Sequence, residues 1–321
     1  MAHRKMGRKT SILRKPAKQT QDQNGTRKRH RIASGRIEGK KAVYSRLTGA
    51  VLRAVLVILM IVTPSALLSD AGFDTIQVVT LVALFAAIFT IAEYSTASPS
   101  LVEFRDAPPF NRVRFSALFG SVFALSIIFR GAEDPSTFTQ FFQVIGERIG
   151  ASIDFPYSPV RLMIVMMPDN TDAATLTSLR TAAGLSYFIS LISLAVFVVL
   201  LHRNRWPRRN GQFNVWVNLP TFDPTAGGDV VERLNRDSQV NLILGFLLPF
   251  MIPAVLKFTG NIISPLSFQD PQTLIWAVTA WAFLPASLLM RGVALNRVAQ
   301  MIYLQRKKAY AAAVKKGMQL A

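Results

Sequence analysis

The chain has 321 residues, half of them hydrophobic, with a mean hydropathy of +0.30 and a formal charge of +19. That is too apolar for one soluble domain, and because the apolar residues come in separated blocks the class is an all-α polytopic membrane protein. Cysteine is absent, which excludes disulfides, thiolate metal sites, a cysteine nucleophile, prenylation and S-palmitoylation.

Residues 1–50 hold fifteen Lys or Arg against Asp22 and Glu38 and contain almost no aromatic residue. Such a composition cannot bury enough apolar surface to offset the entropy of ordering, so 1–48 is expected to be a disordered basic cytoplasmic tail. Its densest run is Arg27, Lys28, Arg29, His30 and Arg31. The run serves as a topology determinant, and it offers charges to anionic lipid headgroups at about 1 kcal/mol per basic residue. Nucleic acid is disfavoured as a partner, because no aromatic residue interleaves with the charges to stack on bases. The basic stretch is far too long for the charged region of a secretory signal, whereas a mitochondrial transit peptide shares its acid-poor, Arg-rich composition.

Six apolar blocks follow, at about 49–68, 76–92, 115–129, 184–201, 240–256 and 274–290. Twenty residues of helix rise about 30 Å, the hydrocarbon thickness of a bilayer, so each block reads as a span. The third is the shortest, fifteen residues between Arg114 and Arg130, and it crosses only if both arginines snorkel. Charge settles the count. With six spans only Arg130, Arg148, Arg161, Arg180 and Lys257, five of the 37 Lys and Arg, fall on the outer side. The positive-inside rule then places both termini in the cytoplasm of a bacterial inner (cytoplasmic) membrane, with the mitochondrial inner membrane as the alternative.

The loop from Ser69 to Thr75 is short, so spans one and two form an antiparallel hairpin. Arg53 and Glu93 arrive in it at nearly the same depth, about 22 and 25 Å from the loop at helical rise, and are expected to form a structural ion pair. Between spans three and four, Asp134 and Pro135 announce an outer amphipathic helix ending at Gly150. Phe138, Phe141, Phe142, Ile145 and Ile149 recur there at helical spacing and offer an interaction surface. Val160 to Met167 reads as a strand or buried extended segment, and span four is expected to begin near Asp172. Ala182, Ser186, Ser190 and Ser193 form a stripe for close helix packing.

The long inner loop opens with Trp206, Arg208 and Arg209, candidates for headgroup contact. Phe213, Val215, Val217 and Leu219 alternate with polar residues and Trp216, the signature of a strand and a second candidate interaction surface. Asp229 then caps a helix that runs into span five, where Pro249 and Pro253 force a bend. Beyond residue 290 the last helix continues as an amphipathic basic arm, 291–321, whose Lys307 and Lys308 also suit anionic headgroups.

Catalytic motifs are nearly missing. Residues His3, His30 and His202 cannot be assembled into a haem, zinc or Ser-His-acid site, so no catalytic residue, cofactor or metal is assigned. Gly35 to Lys40 is one residue short of a phosphate loop and follows no strand. The expected role is therefore a non-enzymatic scaffold, assembly or regulatory component that meets the lipid bilayer and another membrane protein. A channel or transporter with Gln77, Thr80, Ser190 and Asn241 near its path is the alternative. A lipid-modifying enzyme using Glu93, Asp223 or Asp229 is the third.

Overall fold

The computed structural model describes residues 46–68, 72–96, 99–105, 108–203, 206–207, 213–223, 225, 227–259, 270–315 and 317. The chain divides into units 1–49 and 50–321, and the first lies outside the described residues except for 46–49. Nine helices and no strand occur among the described residues: α1 Arg46–Leu67, α2 Phe73–Ser95, α3 Pro108–Glu133, α4 Thr137–Ile153, α5 Pro159–Val165, α6 Ala173–Arg203, α7 Val215–Asn218, α8 Val230–Thr259 and α9 Pro271–Lys315. Six of them, α1, α2, α3, α6, α8 and α9, are long and apolar enough to cross a membrane. The chain is an integral, multi-pass membrane protein. The third span is longer than α1 and α2 rather than the shortest, because α3 begins at Pro108 and carries Arg114 and Arg130 within its 26 residues.

Antiparallel α8 and α9 form the spine. Ser238 Oγ donates to the Gly292 carbonyl at 2.8 Å, and a Cβ on Gly245 would lie 2.8 Å from the Pro285 carbonyl oxygen, so side chains smaller than alanine are needed where the backbones touch. Further along, Pro253 has no N–H to give to the carbonyl of Pro249. The indole Nε1 of Trp281 donates to that oxygen instead, at 3.1 Å, so this carbonyl keeps a partner in apolar surroundings.

Around this spine one core joins Val122, Leu125 and Ile128 of α3, Val160 and Met163 of α5, Leu179 to Leu185 of α6 and Leu274 to Ala282 of α9. Helix α4 lies against α3 and α6 at that end of the bundle. Its Gly150 meets Gly184 so closely that a Cβ on Gly184 would sit 2.4 Å from the Gly150 Cα. The expected stripe of Ala182, Ser186, Ser190 and Ser193 is buried throughout.

Three local expectations change. The helix after Asp134 starts later and runs past Gly150. Ser136 is its cap, paired with Thr139 in a reciprocal capping box, and Gly150 serves a helix crossing rather than a stop. Residues 160–165 are helical in α5, and only Met166 and Met167 fall outside it, because Ser158 accepts from the Arg161 N–H at 3.0 Å and Pro159 opens the first turn. The expected inner strand at 213–219 is a helical turn, α7. A lone strand would leave its backbone groups unpaired, whereas here Asn218 N–H donates to Asn214 and Leu219 N–H to Val215.

Candidate functional site

Polar side chains gather at the end of the bundle where α2 stops, α3 starts and α9 leaves its apolar block. They are built on a second core of Phe104, Phe110, Phe197, Leu219, Phe222, Leu234, Met290 and Val298, which ties the two long connections of that end to α6, α8 and α9. Phe104 is its pivot. This residue adopts a left-handed backbone, φ 51°, which a side chain with a Cβ adopts only under outside constraint. The constraint is visible. Its N–H donates to the Asn218 carbonyl at 2.7 Å, its carbonyl accepts from Asn111 at 3.2 Å, and its fully buried ring lies 4.5 Å from that of Phe110.

The neighbours of Phe104 point apart. Glu103 receives Arg291 in a two-pronged ion pair, Nε to Oε2 at 2.6 Å and Nη2 to Oε1 at 2.8 Å, and also the Thr221 hydroxyl at 2.9 Å. Arg105 reaches the other way and donates to the Thr96 carbonyl at 2.7 Å and the Glu93 carbonyl at 3.3 Å, covering the last turn of α2. Arg114, one and a half turns into α3, lies over the rings of Phe110 and Phe283 at 5.1 and 5.9 Å, and its Nε is buried with no acceptor among the described residues.

Glu93 is 5% exposed, and its carboxylate accepts from the N–H groups of Ser100, Leu101 and Val102 at 3.0 to 3.3 Å and from the Ser100 hydroxyl. The expected Arg53–Glu93 ion pair is not found among the described residues. Backbone amides reach the carboxylate first, and Arg53 lies instead over the ring of the next residue, Tyr94, 4.6 Å from its centroid. Tyr94 also feels the charges of Arg105 and Arg114.

Other sequence-predicted residues lie elsewhere. Arg27, Lys28, Arg29, Arg31, Arg208 and Arg209 are outside the described residues, and Lys307 and Lys308 are exposed on the free end of α9. On α4, Phe138 and Phe141 are exposed and Ile145 is on the same side, whereas Phe142 turns inward onto the first core. Phe213 and Val215 fold partly against the second core, and Val217 is half-buried.

Of the two other candidate carboxylates, Asp223 accepts from Thr225. Asp229 accepts from Arg306 at 2.5 Å and from the Val231 N–H at 3.3 Å, and those bonds hold its carboxyl below the usual range. Among the described residues no group of three His, Asp or Glu could hold a metal ion. Reasoning from the sequence missed Glu103, Arg105, Arg114 and Arg291 as a group, although charges at the edges of apolar blocks were a usable signal.

No family model matches the chain, and no curated protein or solved structure matches it either.

Proposed function

We propose that this protein is a non-enzymatic scaffold, assembly or regulatory component of a bacterial inner membrane, with both termini cytoplasmic and with another integral membrane protein as partner. One observation carries the reading: among the described residues the helices cross at close range. Gly150 of α4 meets Gly184 of α6, Gly245 and Gly292 bring α8 and α9 together, and Ser121 and Ser126 of α3 and Ser186 and Ser190 of α6 are buried. Of the polar residues that would line a transport path, Ser190 and Asn241 are buried in helix contacts, with the Asn241 amide donating to the Asp237 carbonyl at 2.6 Å. Each candidate catalytic carboxylate is bonded to its own fold, which removes support for the enzyme reading.

The partner reading rests on the α1–α2 hairpin, which shows apolar side chains on nearly all sides, Phe85 at 65% exposure among them. A photo-reactive amino acid at Phe85 tests it in native membranes. A cross-linked adduct of discrete protein mass at that position is expected, and none at Leu304 on the α9 arm. Lipid adducts alone at Phe85, or solute flux through liposomes holding the purified chain, would overturn the reading.

A further inference from the structure

Helix α4 has 17 residues and is not one of the six that can cross. It runs across the ends of its neighbours rather than beside them. From Thr139 to Gly146 is seven residues, about 10 Å of helix, yet its contact on α3 moves only from Gly131 to Ile128, about 5 Å. On α6 its glycines meet the stretch from Arg180 to Leu185. Those contacts fall where the apolar blocks end, at Phe129 on α3 and Gly184 on α6, so α4 lies at the level where hydrocarbon gives way to headgroups.

A helix resting on a bundle in water needs two sides, and α4 has three. Phe142, Gly146 and Gly150 face the protein. Gln140, Gln143 and Glu147 form a polar side, where the Gln143 amide donates to Glu147 at 3.1 Å. The third side is apolar and bare: Phe138 is 57% exposed, Phe141 is 60% exposed, and Ile145 lies in line with them. By helical spacing Val144 and Arg148 stand on the border between the polar and the bare side.

We propose that α4 is an interfacial helix, its side of Phe138, Phe141 and Ile145 laid into the acyl-chain edge of the adjoining leaflet and Arg148 reaching the lipid phosphates.

Depth selects lipid over any other occupant. At the bilayer edge of a multi-pass protein this side continues the surface that the spans already give to lipid, so acyl chains meet it without any further binding event. Polar groups there agree. Ser152, one helical line with Phe141 and Ile145, donates its hydroxyl to the Arg148 carbonyl at 2.7 Å and so needs no water. The stem of Arg148 is long enough to carry its charge from that border up to the headgroups. The turn after α4 adds Phe155 and Tyr157, the latter 87% exposed, and amphipathic aromatic rings favour the same level. None of this depends on which side of the membrane is cytoplasmic, nor on the partner assigned to the α1–α2 hairpin.

Because the chain has no cysteine, single nitroxide labels can be placed on the full chain in lipid nanodiscs, where both membrane faces are open to a water-soluble nickel chelate. Labels at Phe138→Cys and Phe141→Cys should be relaxed severalfold more by oxygen, which concentrates in hydrocarbon, than by the chelate. At Gln140→Cys the order should reverse. A label at Phe142→Cys, on the protein side, should be shielded from both. Chelate prevailing at 138 and 141 would put that side in water and overturn the proposal. Shielding from both reagents at 138 and 141 would overturn it too, since a protein would then cover the helix, and spin–spin broadening lost on dilution with unlabelled chain would identify that protein as a second copy. Phe141→Trp keeps an aromatic ring, should a nitroxide lift the helix. It should add quenching by lipids brominated near their carbonyls beyond that of the native chain, and no added quenching would again overturn the assignment.

Discussion

At the scale of single residues, Glu93 shows how a charge inside a membrane protein finds its partner. Its depth and the matched depth of Arg53 were legible in the sequence from helical rise alone. Its actual partners were not, because they are backbone N–H groups of a turn seven to nine residues away, and a backbone donor leaves no mark in a pattern of side chains. Glu93→Gln keeps the shape but replaces one acceptor oxygen with a donor facing those amides, so it should cost about 1 to 3 kcal/mol and open the connection between α2 and α3 to protease. Arg53→Ala should leave that connection intact. The double variant should equal the sum of the singles within a few tenths of a kcal/mol, and a larger coupling in thermal unfolding would restore the ion pair. Asp229 gives a pH prediction. Its carboxyl is held down by the Arg306 bond first and the Val231 N–H second, so the clasp between the start of α8 and the arm of α9 is complete above the ordinary carboxylate range. It is lost as pH falls through the lowered value. Protection of the amides along 300–315, taken relative to their intrinsic exchange rates, should therefore fall on acidification, and Asp229→Asn should show the lowered protection at neutral pH with no further acid step.

At the scale of elements, the helices were legible from blocks and breakers, while what joins them was not. Asp172 and Asp229 mark the starts of α6 and α8 as expected, Asp172 accepting from the Thr175 N–H at 2.8 Å. The two prolines of α8 announced a bend, yet only the fold shows that Trp281 on α9 satisfies the carbonyl that Pro253 abandons. Trp281→Phe keeps the ring and removes the donor. It should lower stability by about 1 kcal/mol, the usual worth of one such bond in a bundle, and unfolding in mixed micelles would read it. Gly150 is the sharper case. In the sequence it was an ordinary helix stop, since a glycine after an amphipathic run usually is one. In the fold it is half of a glycine pair with Gly184, and a Cβ at 150 would lie 2.8 Å from the Arg180 carbonyl. Gly184→Leu should force α4 away from α6 at a cost of about 1 to 3 kcal/mol or more, and Gly72→Ala, where nothing lies within 4 Å, should cost little. Equal losses at the two positions would mean that the crossing is not close.

At the scale of the whole molecule, alternating spans and the charge tally speak to the same arrangement, and they reach it independently. If each of the six helices crosses once, the connections 134–172 and 260–270 share one side with the short turn after α1. The connections 96–107 and 204–229 then share the other side with both ends of the chain. The sequence supplies 32 Lys and Arg to that second side or its edge and five to the first, Arg130, Arg148, Arg161, Arg180 and Lys257. Three of the five are tied down locally: Arg130 pairs with Asp134 at 3.6 Å, Arg161 pairs with Asp154 at 2.8 Å, and Lys257 donates to the Val165 carbonyl at 2.7 Å. On the proposed orientation, retention of positive charge on the cytoplasmic side sets the direction of the whole bundle. The length of α3 matters here, because a chain in which it failed to cross would carry the basic segment 202–239 to one side and the basic tail to the other. Since the chain contains no cysteine, single introduced thiols are clean probes of this arrangement. Asp169→Cys, exposed between α5 and α6, should react with a membrane-impermeant maleimide in intact cells, and Ala311→Cys, exposed on the arm of α9, only after the membrane is opened. Labelling of both in intact cells, or of neither, would require an odd number of crossings between α5 and the arm to be abandoned, and the assignment of both termini to the cytoplasm would go with it.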